Sequence, residues 1–154
     1  MRRAIAVVLV LAVAAFAAAS AGGRTSAGAL VTTAYNKQLK KVILVDSRGM
    51  TLYLFYADTG GVATCKTIAP SCPKIWPQLT SLGAPRAGKG VKASLLGTTM
   101  GANGKPQVTH NKPPLYYFHG GSGAGPGDTK PGDANGQGFS AYWYVVSPKG
   151  TAIK

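Results

Sequence analysis

The sequence predicts a mainly β, single-domain fold: a small antiparallel meander, sandwich or barrel-like domain of about seven short strands with at most one short helix. Three observations predict it. Short runs of β-branched and aromatic residues recur along the chain, compact turn signals separate them, and a Leu-Tyr-x-Phe core occurs twice, at Leu52–Phe55 and Leu115–Phe118, as in an imperfect duplication.

The chain opens on a charged start at Arg2 and Arg3, an uncharged run from Ala4 to Ala19 and a small-residue exit at Ala19-Ser20-Ala21. This is the layout of a secretory signal peptide over 1–21, with cleavage before Gly22. The run is shorter than the roughly 20 residues a spanning helix needs, and no second one follows, so a chain that is not membrane-spanning is expected. The only cysteines, Cys65 and Cys72, lie far from the cleavage point, so no lipid-anchor cysteine is expected. The expected location is secreted or extracytoplasmic.

Residues 22–40 are small and polar without a sustained period, and read as a flexible lead-in to a β domain over 41–154. Val42–Val45 and Met50–Tyr56 flank Asp46-Ser47-Arg48-Gly49, a hairpin signal with Asp at the start of the turn and Gly at its end. Cys65, Cys72 and a Pro73–Leu79 stretch that fits one short helical turn follow. Leu95–Met100 and Pro106–His110 flank Gly101-Ala102-Asn103-Gly104, whose Asn-Gly step is a strong hairpin signal. Asn111–Pro114 turns the chain into Leu115–Phe118. Gly120–Gly138 is rich enough in Gly, Pro, Asp and Asn to read as loop. Tyr142–Val146 and Thr151–Ile153 flank a last turn, Ser147-Pro148-Lys149-Gly150.

The charge is one-sided. Seventeen basic side chains face four acidic ones, a formal +13 that becomes +11 once Arg2 and Arg3 are removed with the signal segment. Such an excess favours anionic partners: a cell-wall polymer, a glycan bearing acidic groups, or lipid head groups. The basic residues are scattered, without an Arg/Lys run, and the chain is exported, so nucleic acid is not an expected partner.

In an oxidising compartment Cys65 and Cys72 read as a disulfide. His110 and His119 flank the Leu115–Phe118 strand, and a regular hairpin would bring them together as copper or haem ligands. Asp133, Asn135 and Gln137, alternating with small residues before Gly138, resemble the first half of a calcium loop, in which Asp128 and Asp133 would hold the ion, although Tyr144 stands where its bidentate glutamate belongs. Period-two alternation sends Tyr53 and Phe55 to one face and Tyr56 to the other. A face of tyrosines beside lysines would suit a glycan. No nucleophile elbow, Cys-His pair, paired carboxylates or phosphate-cradling glycine loop is present, so the chain reads as non-enzymatic.

Tyr53-Leu54-Phe55-Tyr56-Ala57-Asp58 resembles the Y-x-(F/W/Y)-x-x-D motif of a bacterial secreted-repeat, or predicted lipoprotein, family of undetermined function. Supporting matches include Cys72–Pro77 around Trp76, Gln107-Val108-Thr109, Pro114–Phe118 and Trp143–Val146, and the resemblance extends over most of Val42–Gly150. It implies an exported repeat protein whose motif positions are Tyr53, Phe55 and Asp58, with Tyr116 and Phe118 in the second copy and Trp76 beside them. The chain departs from the family in three ways. Glycine stands at Gly121 where the second motif's aspartate is expected, the cysteines are further apart than the family's close pair, and the lipid-anchor cysteine is missing.

The functional expectation is a secreted, non-enzymatic binding module of the bacterial envelope for an anionic or glycan partner, acting as a monomer. The alternative is an extracytoplasmic protein that handles copper, haem or calcium through His110, His119 and the Asp128–Asn135 loop. An enzyme without a recognisable signature ranks third.

Overall fold

The computed structural model describes residues 27–154; the expected signal segment 1–21 and its cleavage before Gly22 lie outside the described residues. The fold is mainly β. Among the described residues, nine short strands are joined by loops: β1 (Leu30–Asn36), β2 (Lys41–Asp46), β3 (Tyr53–Phe55), β4 (Arg86–Ala87), β5 (Leu96–Met100), β6 (Pro106–His110), β7 (Gly120–Gly121), β8 (Gly125–Pro126) and β9 (Trp143–Val145). They form one three-stranded sheet, β2-β1-β4, and three two-stranded pairs, β3-β9, β5-β6 and β7-β8, with no closed barrel. All pairings are antiparallel except β1 with β4.

The two helices, α1 (Cys65–Ile68) and α2 (Cys72–Ile75), exceed the single helix expected. Each ends two residues before a proline, at Pro70 and Pro77, where the residue preceding the ring is pushed out of helical geometry. Cys65 and Cys72, their first residues, form a disulfide with Cα atoms 5.5 Å apart.

The lead-in expectation for 22–40 is corrected, because order begins well before Lys41. Leu30-Val31-Thr32-Thr33-Ala34-Tyr35-Asn36 is a strand paired in register with β2 from Val31 opposite Asp46 to Asn36 opposite Lys41. Its threonines leave no clear apolar alternation, so the period was hidden. Its stability comes from the ladder, from fully buried Val31, and from Asn36, whose amide donates to Gly132 O at 3.0 Å. The extra strands β4, β7 and β8 are two-residue pairings that leave no sequence period.

The duplication is real and the halves are intertwined. In the first half, Leu44 N donates to Val146 O (2.8 Å), Val146 N to Leu52 O (3.1 Å), and Leu52 N to Leu44 O (3.1 Å). In the second, Val108 N donates to Leu79 O (2.8 Å), Leu79 N to Leu115 O (3.0 Å), and Leu115 N to Val108 O (2.9 Å). Each is a closed ring of three backbone segments, and each takes its third segment from the other half. Tyr53 and Tyr116 exchange reciprocal backbone bonds, both 2.9 Å, where the halves meet. The β1–β2 hairpin corresponds to β5–β6. The bridge Val45 to Thr51 corresponds to that from Thr109 to Pro114.

Strand alternation divides the interior in the same two-fold manner. Tyr53, Phe55, Trp76, Tyr116, Phe118 and Trp143 point into an aromatic core that also holds the disulfide. Leu44, Leu52, Leu79, Val108, Leu115 and Val146 point into an aliphatic one. A mean apolar coefficient of about 25 cal/mol per Å² makes these two clusters the main source of stability.

Candidate ligand-binding surface

The motif residues face inward. Tyr53 and Tyr116 are fully buried, Phe118 and Trp76 nearly so, and Phe55 and Asp58 have under a tenth of their surface exposed. Tyr53 meets Trp76 edge-on at 5.4 Å, Trp76 stacks on Trp143 at 3.9 Å, and Tyr116 meets Trp143 edge-on at 5.1 Å. These positions build the core and present no surface to a partner.

Their polar tips pair crosswise. Tyr53 OH donates to Asp128 Oδ2 at 2.6 Å, and Tyr116 OH donates to Asp58 Oδ2 at 2.6 Å. Asp58 N donates to Phe55 O, and Asp128 N donates to Phe118 O. The remaining carboxylate oxygens accept Thr64 N and Oγ1 in one case and Asn135 N in the other. Asp128 is therefore the aspartate of the second motif copy, which corrects the expectation that Gly121 had replaced it. The β7–β8 hairpin is inserted between Phe118 and Asp128. Gly127 closes that hairpin where a Cβ would lie 2.2 Å from the His119 carbonyl carbon, so only glycine fits. Burial pushes both carboxyls above the ordinary range, against their hydrogen bonds. Burial first, then the facing carboxylate, pushes both tyrosines up, so they keep their protons.

The metal candidates do not gather. His119 and Asp128 line one cavity of about 230 Å³ with Arg48, Thr51 and Thr129. His110 lies elsewhere, fully buried beneath Gly150, with neither ring nitrogen paired. Asp133 accepts Thr129 N and Lys130 N, and Asn135 donates to Gly127 O, so the loop's oxygens fix its own turns. Among the described residues, no three His, Cys, Asp or Glu side chains stand together as a metal site. None is long and apolar enough, as a helix, to cross a membrane.

The outer surface is basic for a structural reason. Three of the four aspartates are buried and engaged, Asp58 and Asp128 by tyrosines and Asp46 by Arg48, Tyr117 and two backbone amides, while Asp133 lies at the surface and is capped by its own loop. Among the described residues there is one ion pair, Arg48 with Asp46 at 2.9 Å. Apart from Lys130, which neighbours Asp133, the exposed lysines of the described residues are left without counter-charges.

Two grooves related by the internal two-fold carry some of these lysines. In each, the hairpin of one half faces the loop that follows the motif aspartate of the other. The first, about 440 Å³, lies between α1–α2 and the β5–β6 turn, with Lys66, Lys74, Gln78, Thr80 and Asn103 on its walls. The second, about 450 Å³, places Lys37 and Lys130 over a floor of Ala34, Ile43 and Val45. Lys66, Lys74 and Gln78 were missed by sequence reasoning, and nothing in their spacing distinguished them. The tyrosine-lysine face is small: Tyr56 and Tyr144 meet edge-on at 5.3 Å, with Lys154 Nζ 4.6 Å above Tyr56.

Residues 97–147 match the model of a family described as a secreted repeat of unknown function. The match runs from β5 to just past β9 and so covers the second repeat, including Tyr116, Asp128 and Trp143. It agrees with the resemblance that the motif carries. No curated protein and no solved structure matches the chain.

Proposed function

We propose that this domain, carrying a secreted repeat, is a non-enzymatic module that holds an anionic polymer or glycan of the bacterial envelope on its lysine-rich surface. One observation carries the reading. Three of the four carboxylates are buried and the fourth, Asp133, is capped by its own loop, so nearly all the lysines of the described residues stand on the surface without an acidic partner. The tyrosine-aspartate pairs supply rigidity: each carboxylate accepts a hydrogen bond from a tyrosine hydroxyl of the opposite repeat.

The test is sedimentation of the protein with a polyglycerol-phosphate chain, a polyuronate chain and uncharged dextran, at about 0.05 M and about 0.5 M salt. Retention on both anionic chains at low salt, release at high salt, and none on dextran is the expected pattern. Retention that ignores salt, or none on any polymer, sinks the reading.

A further inference from the structure

We propose that the outer edge of β5 is a docking site for an extended, acidic polypeptide segment of another protein, which adds to it as a parallel strand. This edge lies outside the two lysine grooves.

The bonding of β5 to β6 fixes which backbone groups are free. Gly101 N donates to Lys105 O at 3.0 Å and Asn111 N to Leu95 O at 2.7 Å, at the two ends of a register that sets Thr98 opposite Val108. Hydrogen-bonded and open pairs alternate along an antiparallel ladder, so Gly97 and Thr99 turn their backbone groups to β6 while Leu96, Thr98 and Met100 turn theirs outward. Leu96 N donates to Ala93 O. Among the described residues nothing bonds Leu96 O, or the N–H and C=O of Thr98 and Met100. Both side chains are exposed, Met100 at 69%. A bare row of this kind is a template for another strand.

The first repeat shows what such an edge takes. Thr33 pairs with Leu44 as Thr98 pairs with Val108, and Leu44 and Val108 hold the same place in their rings, so Val31 and Thr33 match Leu96 and Thr98. The outward side of β1 is covered by a parallel segment that begins at Arg86. Gly88 N donates to Val31 O at 2.7 Å, and Thr33 N donates to Lys89 O at 3.1 Å. The matching groups on β5, Leu96 O and Thr98 N, are among those left open. In the second repeat the chain turns back after Val146, with Ser147 N donating to Thr151 O and Ile153 N to Val145 O, and pairs with β9 instead of crossing to β5.

Space and charge define the occupant. Gly88 approaches β1 where a Cβ would lie 2.7 Å from Thr32 Cβ, but the match of Thr32 is Gly97, which leaves that position open to a residue with a side chain. A groove of about 480 Å³, with Leu82, Pro85 and Leu96 on its walls, borders the same strand. Lys92 precedes the strand, Lys105 follows its turn, and neither is in an ion pair. Two copies joined edge to edge about Thr98 would run antiparallel and bring Lys92 of each toward Lys105 of the other, so like charges disfavour a second copy. An incoming segment with carboxylates at its ends meets both lysines, while main-chain bonds supply the affinity.

The test is nuclear magnetic resonance titration of the isotope-labelled protein with two synthetic peptides that share an alternating threonine-valine core, one ended by glutamates and one by lysines. The glutamate-ended peptide should bind, shift the Thr98 and Met100 amides and protect them from hydrogen exchange. A nitroxide on its carboxyl end should broaden Met100 more than Leu96, as parallel seating requires. The lysine-ended peptide should bind about tenfold more weakly or not at all. Thr98→Pro removes an outward N–H, leaves the ladder with β6 intact, and should weaken binding about tenfold. If that variant does not fold, a glutamate-ended peptide N-methylated on its core amides tests the same bonds from the other side, and its binding should be lost. No binding of the glutamate-ended peptide, undiminished binding of its N-methylated form, equal binding of the two charged forms, or broadening strongest at Leu96 overturns the proposal. A dimer in sedimentation that Thr98→Pro abolishes assigns the edge to a second copy and overturns it as well. Oligouronate chains that shift the Thr98 and Met100 amides as strongly as the peptide do the same, by assigning the edge to a polymer.

Discussion

Trp76 and Trp143 stack ring on ring, with centroids 3.9 Å apart and planes 3° from parallel, and each lies three residues before the strand residue it lends to the opposite half. The stack is the point at which the two repeats hold each other. Trp76→Ala and Trp143→Ala should each cost about 3–5 kcal/mol, as loss of a buried indole does. The double variant should cost less than the sum, because the first truncation already breaks the shared contact. Urea unfolding of the three variants measures this, and strict additivity would show that the stack is incidental.

The crosswise pairs give a second expectation. Tyr53→Phe removes the donor at 2.6 Å from Asp128, and Tyr116→Phe removes its counterpart from Asp58. Each leaves a buried carboxylate short of one hydrogen bond, at about 1–3 kcal/mol. Two-fold equivalence requires similar losses. Denaturant midpoints that fall for one variant and stay unchanged for the other would break the equivalence.

Much of this was legible in the sequence, and what was not has identifiable causes. Turns at Asp46–Gly49, Gly101–Gly104, Asn111–Pro114 and Ser147–Gly150 announce themselves because Gly, Asn and Pro restrict local backbone geometry. The Leu-Tyr-x-Phe echo revealed the duplication. The strand exchange did not show, since pairing of Leu44 with Val146 depends on contacts a hundred residues apart. Asp128 was hidden because the β7–β8 insertion moved it out of the motif's spacing. The open β5 edge was hidden because only the ladder with β6 decides which backbone groups face outward.

The repeat comparison also exposes strain. Gly49, with φ 83°, corresponds to Lys112, with φ 85°, in the matching turn of the second half. A non-glycine residue in the left-handed region costs roughly 1 kcal/mol. Lys112→Gly should therefore stabilise the domain by up to about 1 kcal/mol, and Gly49→Ala should destabilise it, since its Cβ would also press on Pro131 Cβ at 3.2 Å. Thermal midpoints moving in opposite directions are the expected result; a lowered midpoint for Lys112→Gly contradicts it.

The disulfide closes a short loop between two four-residue helices that have no independent stability. Cys65→Ser/Cys72→Ser should cost about 2–3 kcal/mol on the chain-entropy model, and the loss should appear first around α1 and α2. Hydrogen exchange of the double variant should show protection falling at residues 65–76 while β1 and β2 keep theirs. Uniform loss across the chain would mean that this segment unfolds only with the whole domain.

His110 sets the response to acid. Its ring is fully buried with both nitrogens unpaired, and burial holds its pKa below the ordinary 6.5. A histidine whose folded pKa is depressed contributes stability that is present above its unfolded value and lost as pH falls through the folded one. The buried carboxyls act in the opposite sense. The pKa values of Asp58 and Asp128 are raised by burial, so their contribution grows as pH falls toward the carboxylate range and shrinks as pH rises through their folded values. As pH falls below the ordinary histidine value of about 6.5, the histidine therefore acts in the sense opposite to the aspartates. His110→Leu keeps an apolar side chain beneath Gly150 and removes the titrating group. Its urea midpoint should hold or rise over this fall in pH, whereas that of wild type should gain less or fall. Parallel midpoint-pH curves for the two proteins would show that His110 is already protonated in the fold or reaches water, and that its isolation beneath Gly150 has no energetic consequence.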